Sequence, residues 1–168
     1  ECENNPRDHC IITMFLNCAL RLSELTSINV EQVTADSLRI IGKGNKERAI
    51  FLTPATKKAI ADWLSVRGTV STSALFISNG ERMTGRAVQD VVKKYLAKAG
   101  LDIKTLSTHK LRHTAATLMY QYGKVDIRAL QQILGHDSIA TTQIYTHVSG
   151  EQLERAVNSN PLAGMFGV

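Results

Sequence analysis

Two segments of the sequence place an arginine where it could act on an anion. In "HKLRH", His109 and Arg112 are three residues apart, so a helix presents both on one face. Two cation-capable groups repel each other, and this pairing makes chemical sense if an anion lies between them. A guanidinium can hold two phosphate oxygens, and an imidazole can move a proton near neutral pH. The alternative is a surface helix with solvated charges.

In "RLSEL", Arg21 and Glu24 are also three residues apart, among Leu20, Leu22 and Leu25. An arginine among so many leucines is expected to be half-buried and held by the carboxylate of Glu24. The pair could be purely structural. However, a buried ion pair stabilises a fold only weakly, so the pair equally fits an arginine aimed in advance at an anionic ligand.

The segment "IGKGNKER" places Lys43 at the tip of a hairpin, between Gly42 and Gly44. Glycines let a loop approach a ligand closely, and a lysine at the tip could reach into a groove or deliver a proton. The spacing does not fit the phosphate-binding loop G-x-x-x-x-G-K-[ST]. A plain solvated turn is the alternative.

The segment "LGHDSIATTQIYTH" contains His136 and Tyr145. In one continuous helix these two side chains would lie on opposite faces. Gly135 and Asp137 instead predict that one helix ends and another begins between them, which frees His136 to face the same cleft as Tyr145. A tyrosine in a helix is otherwise expected to be a core residue with a satisfied hydroxyl.

A zinc site is a rival interpretation of the same histidines. His109 and His113 have the i, i+4 spacing of zinc ligands, with His136 as a third ligand. The glutamate of the H-E-x-x-H pattern is absent, and Lys110 and Arg112 would crowd a cation. We therefore predict no metal.

Composition sets limits on the class of protein. The 168 residues suit one domain, 43% of them are hydrophobic, and the net charge of +5 permits a phosphate-bearing partner. No apolar run approaches the ~20 residues of a membrane helix. Cys10 and Cys18 are expected to be small buried residues, and the odd cysteine count fits a reducing cytoplasm. The absence of an initial methionine suggests a fragment.

The sequence pattern predicts a mostly helical α+β domain with one small antiparallel three-stranded sheet. Helices are expected at 7–18, over "RLSELTSI", after Thr53-Pro54, after the cap Thr84, over "THKLRHTAATLMYQYG" and "DIRALQQILG", and twice more beyond Gly135. Strands are expected over "SLRIIG", "ERAIFL" and "ALFIS", the first two joined by a hairpin at Gly44-Asn45.

Taken together, "ALRLSEL", "IGKGNKER", "HKLRHTAATLM" and "LGHDSIATTQIYTH" resemble the catalytic domain of tyrosine recombinases, and the Xer type most closely. The resemblance extends roughly from Asp8 to Glu154. It implies one catalytic domain over 1–168, with about 150–168 as a C-terminal helix or tail, and a preceding core-binding domain that is absent here. The only departure we note is Ala19, where the family usually has glycine.

The resemblance gives each reactive position a role. It makes Arg21 and Arg112 the phosphate-clamping arginines, with Glu24 supporting the first, Lys43 the hairpin lysine, His109 and His136 the site histidines, and Tyr145 the nucleophile. Residues expected to contact DNA are Lys46, Arg48, Arg86 and Lys110.

The activity that the resemblance implies is site-specific cleavage and rejoining of double-stranded DNA through a 3′-phosphotyrosyl intermediate, without metal or cofactor. It would serve integration of a mobile element or resolution of chromosome dimers. The full-length protein is expected to form a homotetramer by exchanging C-terminal tails, in the bacterial cytoplasm at the nucleoid and away from membranes. A type IB topoisomerase, a silent DNA-binding regulator and a zinc hydrolase are the competing hypotheses.

Overall fold

The structure is a computed structural model that describes residues 4–42, 45, 47–123, 127–135, 154–155 and 157–163. Most of the described secondary structure is helical. The α-helices are α1 (Pro6–Cys18), α2 (Leu22–Ser27), α3 (Pro54–Arg67), α4 (Gly85–Lys98), α5 (Thr108–Gly123) and α6 (Ile127–Leu134). The strands are β1 (Ser37–Ile41), β2 (Glu47–Phe51), β3 (Ile77–Ser78) and β4 (Glu81–Arg82). This composition confirms the predicted fold class.

Side-chain caps fix the starts of three helices. The side chains of Asn5, Thr53 and Thr84 precede α1, α3 and α4, and each accepts a hydrogen bond from the backbone N–H three residues further on. Such a bond satisfies a donor that the helix itself leaves unpaired. Pro6 and Pro54 occupy first-turn positions, where a missing N–H costs nothing. The caps predicted at Thr53 and Thr84 are confirmed.

The predicted three-stranded sheet is wrong in its third strand. β1 pairs with β2 in an antiparallel hairpin, whereas β3 pairs with β4 in a separate two-stranded sheet. The reason is the turn between β3 and β4: Asn79 and Gly80 both have positive φ, at 52° and 82°. Two such residues form the tight turn that returns a strand directly onto itself. Asn79-Gly80 therefore starts a local hairpin instead of merely ending a strand.

A single large hydrophobic cluster joins α1 to the first hairpin, α3 and α4. Its fully buried side chains include Phe15 of α1, Leu25 of α2 and Phe76. Cys10 and Cys18 are fully buried in it as predicted, and burial raises the pKa of both thiols, that of Cys18 to about 12. Unreactive thiols of this kind act as small core residues.

A second, smaller cluster supports the C-terminal helices. Ala115 and Met119 of α5 pack with Leu130 and Ile133 of α6 and with Val157. Asn160, which is buried, donates from Nδ2 to the carbonyl oxygen of Leu16 at 2.7 Å. The described part of the C-terminal segment therefore packs on its own chain. The remainder of the predicted tail lies outside the described residues.

No helix in the described part of the chain is both long enough and apolar enough to cross a membrane.

Candidate active site

The carboxylate of Glu24 is the centre of a buried ionic cluster. Glu24 occupies the third position of α2, and its side chain is only 4% exposed. Oε2 accepts the backbone N–H of Arg21 at 2.8 Å, and Oε1 accepts Nη1 of the Arg21 side chain at 2.9 Å. The i, i+3 pairing expected from the sequence is therefore present, because the start of α2 places both groups on one side of its first turn.

Arg48 reaches the same carboxylate from β2. Its Nη1 and Nη2 donate to Oε1 and Oε2 of Glu24, each at 2.9 Å, and its Nε donates to the carbonyl oxygen of Ile133 at 3.0 Å. The Arg48 side chain is 14% exposed. The sequence assigned Arg48 to DNA contacts, but here its guanidinium faces inward onto protein acceptors. We therefore reassign it to the support of the cluster.

Period-two alternation along β2 explains the inward direction of Arg48. Ile50, two residues further along the strand, is buried in the main core, and alternate residues of a strand share a face. Arg48 therefore lies on the buried face of the hairpin. In "ERAIFL" both faces of the strand carry apolar residues, so the alternation alone does not show from the sequence which face is buried.

Arg112 joins the cluster from α5. Its Nη1 donates to the carbonyl oxygen of Ala19 and lies 3.6 Å from Oε2 of Glu24, and its Nη2 donates to the carbonyl oxygen of Leu134 at 2.6 Å. Ala19 has a left-handed backbone with φ of 49° and ψ of 40°. Glycine adopts this conformation without steric cost, which is a physical reason for the glycine that the sequence resemblance implies at this position. Alanine keeps the carbonyl aimed at Arg112.

The end of α6 is held by three arginines. Three successive carbonyl oxygens each accept a hydrogen bond from a different guanidinium. That of Ile133 accepts from Arg48, that of Leu134 accepts from Arg112, and that of Gly135 accepts from Arg21 at 3.0 Å. The last carbonyls of a helix lack partners within the helix and carry its partial negative charge. The arginines satisfy them, and α6 is thereby fixed against the start of α2.

The cluster carries excess positive charge. Three guanidinium groups meet one carboxylate, so two positive charges lack a formal counter-charge among the described residues. Burial raises the pKa of the Glu24 carboxyl, but hydrogen bonds from Arg48 and Arg21 outweigh it, and the pKa lies below its usual value. Burial and repulsion from Arg21 and Arg48 lower the pKa of Arg112 to about 10, against the attraction of Glu24. This excess of positive charge over the single carboxylate suits an anion.

The other predicted residues within the described part lie at the surface. His109 and Lys110 are exposed in the first turn of α5, with His109 one turn before Arg112. Arg86 is exposed at the start of α4 and pairs with Asp90 at 3.3 Å. Arg21, with its side chain 37% exposed, is the most accessible guanidinium of the cluster.

Four predicted residues lie outside the described part of the chain: Lys43, Lys46, His136 and Tyr145. Lys43 belongs to the connection between β1 and β2, and His136 directly follows Gly135. Among the described residues, no group of three or more His, Cys, Asp or Glu side chains could hold a metal ion. The third ligand of the zinc hypothesis, His136, is not among them.

The sequence model of the phage integrase family matches residues 1–152, and the chain belongs to that family. It is similar to the tyrosine recombinase XerC of Caldanaerobacter subterraneus subsp. tengcongensis, with 56% identity over 161 residues that cover 94% of this chain and 46% of the relative. The chain spans about half the length of the curated relatives it matches.

Solved structures give the same picture of the fold. The crystal structure of XerA recombinase superposes with a TM-score of 0.76 and 32% identity, covering 90% of this chain and 57% of that one. The XerH site-specific recombinase bound to difH substrate in a pre-cleavage complex gives a TM-score of 0.70 and 28% identity, covering 79% of this chain and 40% of that one. The described helices therefore adopt the fold of a recombinase catalytic domain.

Proposed function

We propose that the protein is a site-specific DNA recombinase that cleaves and rejoins DNA strands through a covalent 3′-phosphotyrosyl intermediate. The observation that carries the proposal is the convergence of Arg21 and Arg112 on Glu24, from segments far apart in the sequence, with positive charge in excess. Such preorganised donors are what a phosphoryl-transfer site requires. Membership of the phage integrase family supports the same conclusion.

In the proposed reaction, the Tyr145 oxygen attacks the phosphorus of a backbone phosphodiester. A bond forms between that oxygen and phosphorus, and the bond from phosphorus to the 5′-oxygen breaks. The phosphotyrosyl link keeps the energy of the broken bond, so a free 5′-hydroxyl can reverse the step without ATP. Arg21, Arg112 and His136 would donate to the non-bridging oxygens.

Two proton transfers complete the proposed step. Lys43 would protonate the departing 5′-oxygen. A free tyrosine has a pKa of about 10, so its proton must be removed with help, for which His109 is one turn from Arg112 and exposed. We include Lys46, Arg86 and Lys110 among the DNA contacts, which exposure supports for Arg86 and Lys110.

The proposal extends to the partners of the full-length protein. Its substrate would be double-stranded DNA, by analogy with the similar XerH recombinase, whose structure was solved with its difH substrate bound. A homotetramer formed through C-terminal tail exchange, in the cytoplasm of a bacterium and associated with the nucleoid, completes the proposal. The 56% identity to a XerC recombinase favours chromosome dimer resolution over integration of a mobile element.

The test uses the full-length protein and a suicide DNA substrate, in which a nick beside the cleavage site lets the 5′-hydroxyl fragment diffuse away. We expect a protein–DNA adduct that survives denaturing gel electrophoresis and forms equally in EDTA. Tyr145→Phe should bind the same DNA but form no adduct. An adduct that persists in Tyr145→Phe, or no adduct with the native site, would overturn the proposed function. DNA cleavage that leaves no adduct and that EDTA abolishes would instead favour the zinc hydrolase.

A further inference from the structure

Arg48 connects three parts of the candidate site. Arg48 lies on β2, and Lys43 falls in the sequence that connects β1 to β2. Nη1 and Nη2 of Arg48 donate hydrogen bonds to the two carboxylate oxygens of Glu24. Its Nε holds the carbonyl oxygen of Ile133 at the end of α6, three residues before His136. A displacement of Arg48 would therefore be transmitted to the hairpin, to the arginines on Glu24, and to the chain that leads into His136.

We propose that Arg48 is a positioning residue for DNA strand cleavage, which sets the hairpin, the Glu24 carboxylate and the end of α6 at fixed distances from one another. This inference rests on the proposed function. It assigns Arg48 no contact with substrate: Nε, Nη1 and Nη2 each donate a hydrogen bond within the protein, two of them to the Glu24 carboxylate. It differs in this respect from Arg21, which remains partly exposed.

The shape of the guanidinium is essential to this role. Two of its nitrogens face the two carboxylate oxygens, and the third faces a backbone carbonyl, all in one plane. A lysine ammonium carries the same charge as a point donor on a flexible chain and cannot reproduce a planar arrangement of three donors. Arg48→Lys therefore keeps the charge of the cluster and removes its geometry.

Gly135 provides independent support for close packing around Arg48. A Cβ added at Gly135 would lie 2.8 Å from Nη1 and 3.0 Å from Cζ of Arg48, and the residue has φ of +59°. The absent side chain therefore leaves the space that the Arg48 guanidinium occupies. Gly100 has a comparable φ of +71° but no atom within 4 Å of the added Cβ. Gly135→Ala and Gly100→Ala thus share backbone strain, and only the first displaces Arg48.

The experiment measures DNA affinity and single-turnover cleavage separately, in full-length protein on the suicide substrate. For Arg48→Lys we expect a fall in the cleavage rate constant on the order of 100-fold, the effect of a displacement of roughly 1 Å, with little change in Kd. Arg67→Lys is the matched control. Like Arg48, Arg67 donates from Nε, Nη1 and Nη2 to acceptors within the protein. Its acceptors are the backbone carbonyls of Gly68, Thr72, Ala74 and Leu75, away from the Glu24 cluster. It should retain wild-type cleavage.

Two further measurements separate positioning from simple loss of stability. Gly135→Ala should lower the cleavage rate toward that of Arg48→Lys, whereas Gly100→Ala should not. Arg48→Lys should also cost less in a His136→Ala background than in the wild type, because part of its effect acts through His136.

The outcomes distinguish this inference from the proposed function. A wild-type protein that forms no adduct would overturn both. Active wild-type protein with an unchanged rate in Arg48→Lys, or with a loss confined to Kd, would overturn the positioning role alone. Equal cleavage in Gly135→Ala and Gly100→Ala would contradict it even if Arg48→Lys failed to fold.

Discussion

Replacing Glu24 by glutamine tests whether the arginine cluster depends on a single buried charge. Glu24 accepts two hydrogen bonds from Arg48 and two from Arg21, and it lies 3.6 Å from Arg112. Glutamine has nearly the same shape but no charge, and one of its two acceptor oxygens becomes an NH₂ group. That group would face arginine donors, so at least one guanidinium would lose its partner while still buried.

The size of the effect follows from which arginines can escape to water. The side chain of Arg21 is 37% exposed and can recover hydration, so its share of the loss is small. The side chains of Arg48 and Arg112 are 14% and 7% exposed and cannot. Removing one partner of a buried ion pair costs about 3–5 kcal/mol. We expect Glu24→Gln to lower the free energy of unfolding by about 3 kcal/mol, the low end of that range, because the carbonyls of α6 retain their bonds.

Urea denaturation at neutral pH, followed by circular dichroism, measures this loss. Glu31→Gln is the matched control. Glu31 is exposed, and its substitution removes the same formal charge from the chain without changing the cluster. Its unfolding midpoint should stay close to that of the wild type. A loss below about 1 kcal/mol in Glu24→Gln, the worth of an ordinary hydrogen bond, would refute the view of Glu24 as the essential counter-charge.

Two other predictions concern stability. The folded-state pKa of Glu24 lies below its unfolded value, so its contribution is fully present above the unfolded pKa of about 4.3 and is lost as pH falls through the folded pKa. Urea titrations below pH ~4.3 should therefore show a steeper loss of stability in the wild type than in Glu24→Gln. Thr53→Ala should cost about 2 kcal/mol, because the buried hydroxyl caps α3 and also contacts Asn17, and Thr53→Ser should restore most of the loss in the same urea assay.

The fold was largely accessible from the sequence because its signals are local. Caps such as Thr53 and Thr84 act through a hydrogen bond to a residue three positions away, so they can be recognised in a short window. Pairing of the "ALFIS" run was not accessible in the same way. Whether a strand joins an existing sheet or folds back depends on the backbone of Asn79 and Gly80, and both alternatives satisfy the same alternation of residues.

In the candidate site, too, the local contacts could be predicted from the sequence and the long-range contacts could not. The pairing of Arg21 with Glu24 follows from helical spacing, and the structure contains it. The approach of Arg48 and Arg112 to that carboxylate depends on packing between elements far apart in the chain. The role of the α6 carbonyls could not be predicted either, because every residue has a backbone carbonyl and no sequence pattern marks these as acceptors for arginine.

The net charge of the Glu24 cluster is a reason to expect that it promotes strand cleavage and does not only bind DNA. Three guanidinium groups and one carboxylate leave two positive charges, and burial together with repulsion from Arg21 and Arg48 lowers the pKa of Arg112. A phosphodiester carries one negative charge. Once the proposed tyrosine has lost its proton and attacks, the transition state carries two. The cluster then matches the transition state in charge better than it matches bound DNA, and that difference is what lowers a reaction barrier. A positioning role for Arg48 follows the same logic, because donors fixed before the reaction need no reorganisation when the second charge develops.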